Sequence, residues 1–309
     1  MSDDDILICS HKIPGFSLVT KRWDFFDVPA ISEIKFNQEA FDRLVLPRHQ
    51  KDLIFSLAKE QQSKEPHFDD LIKGKGKGLI FFLYGDPGVG KTLTAESIAE
   101  YIRRPLYTIG CGDLGADSKY VEEELTRTLI LATKWDALVL VDKADVFMEQ
   151  RSNNGLQRNG LVSVLLRILE YFEGIMFLTT NRVGSIDTVF KSRIHLSISY
   201  PPLSIDARRT IWEGFITKGV THGKPDWLDH KFLNQVASHT INGCQIKNIV
   251  RMGRALAAST KCSLEPDDIL IGLKALNSFE NDFVEAQFKR VGNESWCWKF
   301  SEALRTEYY

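Results

Sequence analysis

The chain has 309 residues and a formal net charge of −2, from 39 Lys plus Arg against 41 Asp plus Glu. Hydrophobic residues make up 43% and charged residues 26%, which is enough apolar material to bury a large core and excludes disorder as the main state. The balanced charge gives no support to a general nucleic-acid or membrane-surface binder.

At about 150 residues per domain, one large domain and a smaller one are expected. The five cysteines, Cys9, Cys111, Cys244, Cys262 and Cys297, are scattered, with no CxxC pair. That pattern argues against a disulfide framework or a zinc site and for a reducing compartment. Met1-Ser2-Asp3-Asp4-Asp5 is acidic where a secretory signal is basic. The longest apolar run, near Leu79–Tyr84, falls far short of the roughly 20 residues of a membrane helix. The expectation is a soluble intracellular protein, cytoplasmic or nuclear, without a membrane segment.

In chain order, residues 1–35 read as extended structure. Ile6-Leu7-Ile8-Cys9 and Phe16–Phe26 are apolar runs, and Pro and Gly in His11–Gly15 predict a turn between them. Two strands alone are marginal, so this piece should pack on the rest of the chain or on an upstream domain. From Asn37 to about Gln62 the pattern is helical, interrupted at Pro47. Lys73–Gly78 alternates Lys and Gly and reads as a solvated loop.

From Leu79 strands and helices alternate. Strands are predicted at Leu79–Tyr84, Leu106–Ile109, Leu138–Val141, Ile175–Thr179 and His195–Ser199. Helices are predicted at Lys91–Ile102, Glu122–Lys134 and Gly160–Phe172. Continuous apolar strands alternating with amphipathic helices predict a three-layer α/β domain with a parallel sheet. After Pro201-Pro202 only helices are predicted, at Ile205–Thr217, Leu228–Ser238, Gln245–Ser259 and Pro266–Phe288. The expected organisation is an N-terminal segment (1–35), a P-loop domain (36–200), a small all-helical lid domain (201–275) and a C-terminal helix with an aromatic tail (276–309).

Gly85-Asp86-Pro87-Gly88-Val89-Gly90-Lys91-Thr92 matches GxxxxGK[ST], the Walker A phosphate loop. Glycines let the backbone form a nest of N–H donors. The following helix turns its positive end to the phosphates. Lys91 is expected to reach the β- and γ-phosphates, and Thr92 to ligate magnesium. The motif follows a predicted buried strand and opens a helix, which is its confirming context. Leu138–Asp142 is an apolar strand ending in Asp, the Walker B pattern. Asp142 is expected to hold magnesium through water.

With these motifs the chain resembles the ATPase core of the AAA+ family. Asp142-Lys143-Ala144-Asp145 matches the D-E-A-D form of Walker B, Thr179-Thr180-Asn181-Arg182 matches sensor 1, and Ile186-Asp187 with Ser192-Arg193 matches the region carrying an arginine finger. The runs 41–47, 158–174 and 242–248 most resemble the large AAA ATPases of filamentous fungi. The resemblance spans about residues 35–275. It implies that Asn181 places the attacking water against the γ-phosphate, that Arg193 acts in trans on a neighbour's nucleotide, and that ATP and Mg²⁺ are bound in an oligomeric ring.

The pattern departs from the family in three places. Lys143 stands where the glutamate that polarises water is expected, and Asp145 and Glu149 are the nearby carboxylates that could substitute. Losing positioned base catalysis costs about 10²–10⁴-fold in rate. Cys244 stands where related chains carry a lid arginine, with Lys247 one turn on. Gly115–Lys119 lacks the aromatic of a threading pore loop, and Tyr120 is assigned to the following helix. The function expected is an ATP-binding AAA+ ATPase that remodels a protein partner and hydrolyses ATP slowly. The alternative is a nucleotide-holding pseudo-ATPase subunit in a mixed ring. A clamp loader handling nucleic acid is disfavoured by the pI near 6.4.

Overall fold

The computed structural model describes residues 10–61, 77–110, 118–151, 156–218 and 224–291. Strands β1 (Lys12–Ser17) and β2 (Arg22–Asp27) form an antiparallel hairpin. Helices α1 (Glu39–Asp42) and α2 (Arg48–Glu60) follow. Then come β3 (Leu79–Gly85), α3 (Lys91–Ile102), β4 (Leu106–Gly110), α4 (Ser118–Lys134) and β5 (Leu138–Asp142). A one-turn helix α5 (Asp145–Met148), α6 (Leu156–Tyr171), β6 (Ile175–Thr180) and β7 (Leu196–Tyr200) complete this part. Four helices remain, α7 (Ile205–Thr217), α8 (His230–Ala237), α9 (Gly243–Ser259) and α10 (Pro266–Val291).

The 5-stranded sheet has the order β4-β5-β6-β3-β7 and is parallel throughout. Its strands are apolar at consecutive positions because each face packs a helical layer. Ile80, Phe82, Val139, Val141, Met176 and Leu178 face one core, with side chains of α4, α5 and α6. Leu79, Phe81, Leu83, Leu138, Leu140 and Phe177 face the other, with α1, α2 and α3. Phe81 and Phe177 are register partners on β3 and β6, and their rings stack at 4.8 Å, a cross-strand pair that pins the two central strands. The parallel strands all end at one edge of the sheet, where Tyr84 of β3 is level with Thr180 of β6 and Val141 of β5 with Leu178 of β6.

The hairpin differs from expectation. Pro14 and Gly15 lie inside β1, opposite Phe25 and Asp24, and the turn falls at 18–21 instead of within His11–Gly15. Pro is tolerated because a two-stranded ribbon is all edge. Phe16 packs on Trp135 at 5.0 Å and on Tyr107 at 6.1 Å, so the hairpin docks on the α/β core. The Ile6–Cys9 run and most of Lys73–Gly78 lie outside the described residues. Helices α4 and α6 begin four residues earlier than predicted, at Ser118 and Leu156, and α5 was not anticipated because four residues are too few for a periodic signal.

The chain divides into two compact units, Met1–Pro202 and Leu203–Tyr309. The second is helical. Trp212, Ile216, Val236, Ile246 and Ile269 are fully buried in its core. Helix α7 is capped by Ser204 and α8 by Asp229, while Asn242 and Gln245 form a capping box on α9. Buried Arg208 donates to the carbonyls of Ala237 and Leu203, each at 2.7 Å, so its charge is held by backbone dipoles.

Candidate functional site

Strand β3 runs straight into a glycine-rich loop. Gly85, Gly88 and Gly90 have φ of 143°, 76° and 105°, a region that side chains with a Cβ rarely enter. At Gly85 a Cβ would also overlap the carbonyl oxygen of Tyr200. Alternation of left-handed glycines with ordinary residues folds backbone N–H groups into a concave nest. Gly90 is the N-cap of the 12-residue α3, so the nest and the helix's positive end coincide.

Lys91 is buried and donates from Nζ to the carbonyl oxygens of Gly85 and Asp86, at 2.8 and 2.6 Å. An ammonium inside a nest of N–H donors is strongly anion-attracting. Beneath the loop, the hydroxyls of Thr94 and Tyr200 lie 2.7 Å apart, and Thr94 also donates to the Gly90 carbonyl at 3.0 Å. Burial pushes the Tyr200 phenol up, partly offset by Thr94, so it stays a neutral prop under the loop. Neither residue was singled out in the sequence. The available signal was an aromatic closing a strand just before Pro201-Pro202.

Across the tip of β6, Thr92 Oγ1 donates to Asp142 Oδ1 at 3.0 Å, although 50 residues separate them. Thr179 Oγ1 donates to the same oxygen at 2.7 Å and accepts from the Lys143 N–H at 3.0 Å. Thr179 itself is 1% exposed, and nothing in the local sequence distinguishes it from any other residue of a buried strand. Lys143 is exposed and left-handed, with φ of 56°. This bend lets Ala144 N–H bond the Thr179 carbonyl at 2.7 Å and buries Ala144.

The other acidic residues near the strand ends have structural partners. Asp145 Oδ1 accepts from Thr180 Oγ1 at 3.2 Å, and Thr180 Oγ1 accepts from Arg182 N–H at 2.9 Å. The backbone of Glu149 joins that of Ile186 in an isolated antiparallel bridge. Asp187 caps a short 3-10 turn (Thr188–Ser192). Its carboxyl is held below the usual range, first by the Val189 N–H and then by Arg151 at 2.8 Å.

Asn181 follows β6 directly and is exposed, at the same sheet edge as the loop and Asp142. Arg193 ends the 3-10 turn (Thr188–Ser192) and lies at the opposite end of β7's approach, paired with Glu170 at 3.6 Å. Its Nε is buried without a hydrogen-bond partner among the described residues. Cys244 and Lys247 are exposed in the first turn or so of α9, in the second unit. Tyr120 does belong to α4, whereas most of the 115–119 stretch lies outside the described residues.

The donor set fits a magnesium-bound phosphate group. Magnesium keeps several waters and takes one or two protein oxygens plus phosphate oxygens, and the Thr92 hydroxyl with the Asp142 carboxylate is such a hard-oxygen pair. Among the described residues no cluster of three or more His, Cys, Asp or Glu is arranged to hold a metal by itself. No described helix is long and apolar enough to cross a membrane.

The sheet order, flanking helices and glycine loop define a three-layer α/β P-loop NTPase fold, joined to a helical C-terminal unit. Residues 81–202 match the sequence model of the ATPase family associated with various cellular activities, AAA. Over that segment the chain is similar to AAA-type ATPase domains. It is 28% identical over 163 residues to the ATPase family AAA domain-containing protein FIGL1 of Arabidopsis thaliana, covering 48% of this chain and 23% of that protein. It is 28% identical over 158 residues to the replication factor C large subunit of Picrophilus torridus, covering 48% and 35%. It is 27% identical over 159 residues to the 26S proteasome regulatory subunit 8 homolog of Schizosaccharomyces pombe, covering 47% and 38%. The alignments therefore span well under half the length of these relatives.

Proposed function

We propose that the chain binds magnesium-ATP at the edge of the sheet formed by β3, β5 and β6, and couples binding and slow hydrolysis to remodelling of a protein partner. In this reading Gly85, Asp86, Pro87, Gly88, Val89 and Gly90 supply the backbone nest, and Lys91 neutralises the β- and γ-phosphates. Thr92 and Asp142 hold the metal, Asp142 through water. Bound magnesium-ATP supplies the electrophilic phosphorus and the charge that activates it. Asn181 would place the attacking water.

The observation that carries the slow-hydrolysis reading is Lys143. It directly follows the carboxylate bonded to Thr92, at the position where the family has glutamate. A protonated lysine has no lone pair with which to take the water's proton, and it adds positive charge that favours retention of ATP. Asp145 is engaged by Thr180 and Glu149 sits beyond α5, so neither carboxylate replaces it in the same place.

The test is phosphate release at saturating magnesium-ATP by the unaltered chain beside Lys143→Glu. The expected result is turnover well below about 1 s⁻¹, an ordinary enzyme rate being about 1–10³ s⁻¹, with the variant at least about tenfold faster. Equal turnover in both proteins removes Lys143 as the cause.

The second reading, a nucleotide-holding subunit of a mixed ring, is favoured by Arg193. Its side chain is 36% exposed and only weakly held by Glu170, which suits release to a neighbour's site in trans. Loss of a partner subunit's turnover when Arg193→Ala replaces the natural chain in a verified mixed ring supports this; no change counts against it. The balanced charge of −2 supports a protein partner over nucleic acid.

A further inference from the structure

The N-terminal hairpin, β4 and α4 line an open groove with a volume of about 380 Å³, a small-ligand size, to which no residue of the phosphate loop contributes. Its wall is aromatic, formed by Phe16, Trp23 and Tyr107. Phe16 meets Trp23 edge-on at 5.6 Å and stacks on Tyr107 at 6.1 Å. Trp23 remains 58% exposed, so much of its ring is available to a further partner.

The rim of the groove is cationic. Lys21, Arg22 and Arg127 face one carboxylate, Glu124, which lies 3.7 Å from Arg127, a separation that leaves most of the guanidinium's donors uncommitted. Lys21 closes the hairpin turn in the left-handed conformation, with φ of 56° and its N–H on the Ser17 carbonyl at 2.7 Å.

Thr128, 7% exposed, also lines the groove and places a hydroxyl beside the cationic rim.

We propose that this groove binds a small aromatic anion, a planar ring carrying a phosphate or carboxylate. The ring rests on Trp23 and Phe16. The anionic group is held by Arg22 and Arg127, with a hydrogen bond from Thr128. Guanidinium groups suit this role because their planar fork matches the oxygens of a phosphate or carboxylate. The site is separate from the phosphate loop, and its occupation would tie the hairpin to α4.

The test uses the full chain carrying Lys91→Ala, which removes affinity arising at the phosphate loop. Adenosine monophosphate, phenyl phosphate and inorganic phosphate are titrated by calorimetry and by quenching of tryptophan emission. Saturable binding of the two aromatic phosphates is expected, at least about tenfold tighter than inorganic phosphate. Arg22→Ala and Arg127→Gln should each weaken it about tenfold, and Trp23→Ala should bring adenosine monophosphate down to the level of inorganic phosphate. Thermal melts identify any variant that is merely unfolded, and Arg22 is exposed enough for its variant to melt normally. The proposal is overturned by no saturable binding up to about 1 mM, by equal affinity for inorganic phosphate, or by unchanged affinity in well-folded Arg22→Ala and Arg127→Gln.

Discussion

The Thr179 hydroxyl donates to Asp142 Oδ1 at 2.7 Å and accepts from the Lys143 N–H at 3.0 Å, so one buried side chain on β6 orients both residues at the end of β5. Thr179→Val keeps the shape, leaves the Lys143 N–H without this partner and frees the carboxylate to turn. The expected loss of stability is about 1–3 kcal/mol, read as a lower melting temperature. Magnesium-ATP affinity should fall about tenfold and Thr179→Ser should restore it. A lowered melting temperature with unchanged magnesium dependence would confine Thr179 to packing.

Gly85 is required twice, by its φ of 143° and by the Tyr200 carbonyl against which any Cβ would collide. Gly85→Ala must move either the loop or the end of β7, and a destabilisation of at least about 3 kcal/mol is expected. Gly184 has open space around it, so Gly184→Ala should stay within about 0.5 kcal/mol. Chemical denaturation of both variants checks the contrast.

Lys143 pays for its left-handed φ of 56°. Lys143→Gly should therefore stabilise the folded chain by about 1 kcal/mol, while Lys143→Glu keeps the strain and the stability of the natural residue. A melting temperature that falls in Lys143→Gly would mean that the side chain itself contributes packing or charge interactions larger than the strain.

His195 Nδ1 accepts from the Ile80 N–H at 3.1 Å, while the His195 backbone N–H donates to the Ile80 carbonyl at 3.0 Å. The ring thus completes the pairing of β3 where β7 begins, and it must be neutral at Nδ1 to do so. Burial lowers its pKa from 6.5. The folded state therefore binds this proton less readily than the unfolded chain. The resulting stability is present in full above about pH 6.5 and is lost as pH falls from there through the folded-state pKa. Melting temperatures between pH 7.5 and 5.5 should fall more steeply for the natural chain than for His195→Gln. Parallel slopes would remove His195 as the cause.

Local signals carried much of the fold. The run Leu79–Tyr84 is apolar at every position because both faces of β3 are covered, and the GxxxxGK[ST] spacing fell on a true strand-to-helix turn. Helix α7 begins and ends as periodicity predicted, because Ser204 caps it and Thr217 closes its apolar stripe. The hairpin was misread at Pro14 and Gly15, since residues that punctuate a central strand are permitted on a two-stranded ribbon. Helix α5 escaped detection because one turn offers no repeat.

The sequence by itself determined the alternation that makes a parallel three-layer domain, the glycine loop, and a lysine, Lys143, directly after the aspartate that ends β5. These are properties of neighbouring residues, set by side-chain size, backbone freedom and charge. Only the tertiary structure decided which distant groups meet: Thr92 and Thr179 on Asp142, Tyr200 beneath the loop, His195 on β3, and the hairpin's aromatics against Tyr107 and Trp135. Those pairings depend on the order β4-β5-β6-β3-β7. That order follows from burying both faces of the whole sheet at once, a condition that no short stretch of chain expresses.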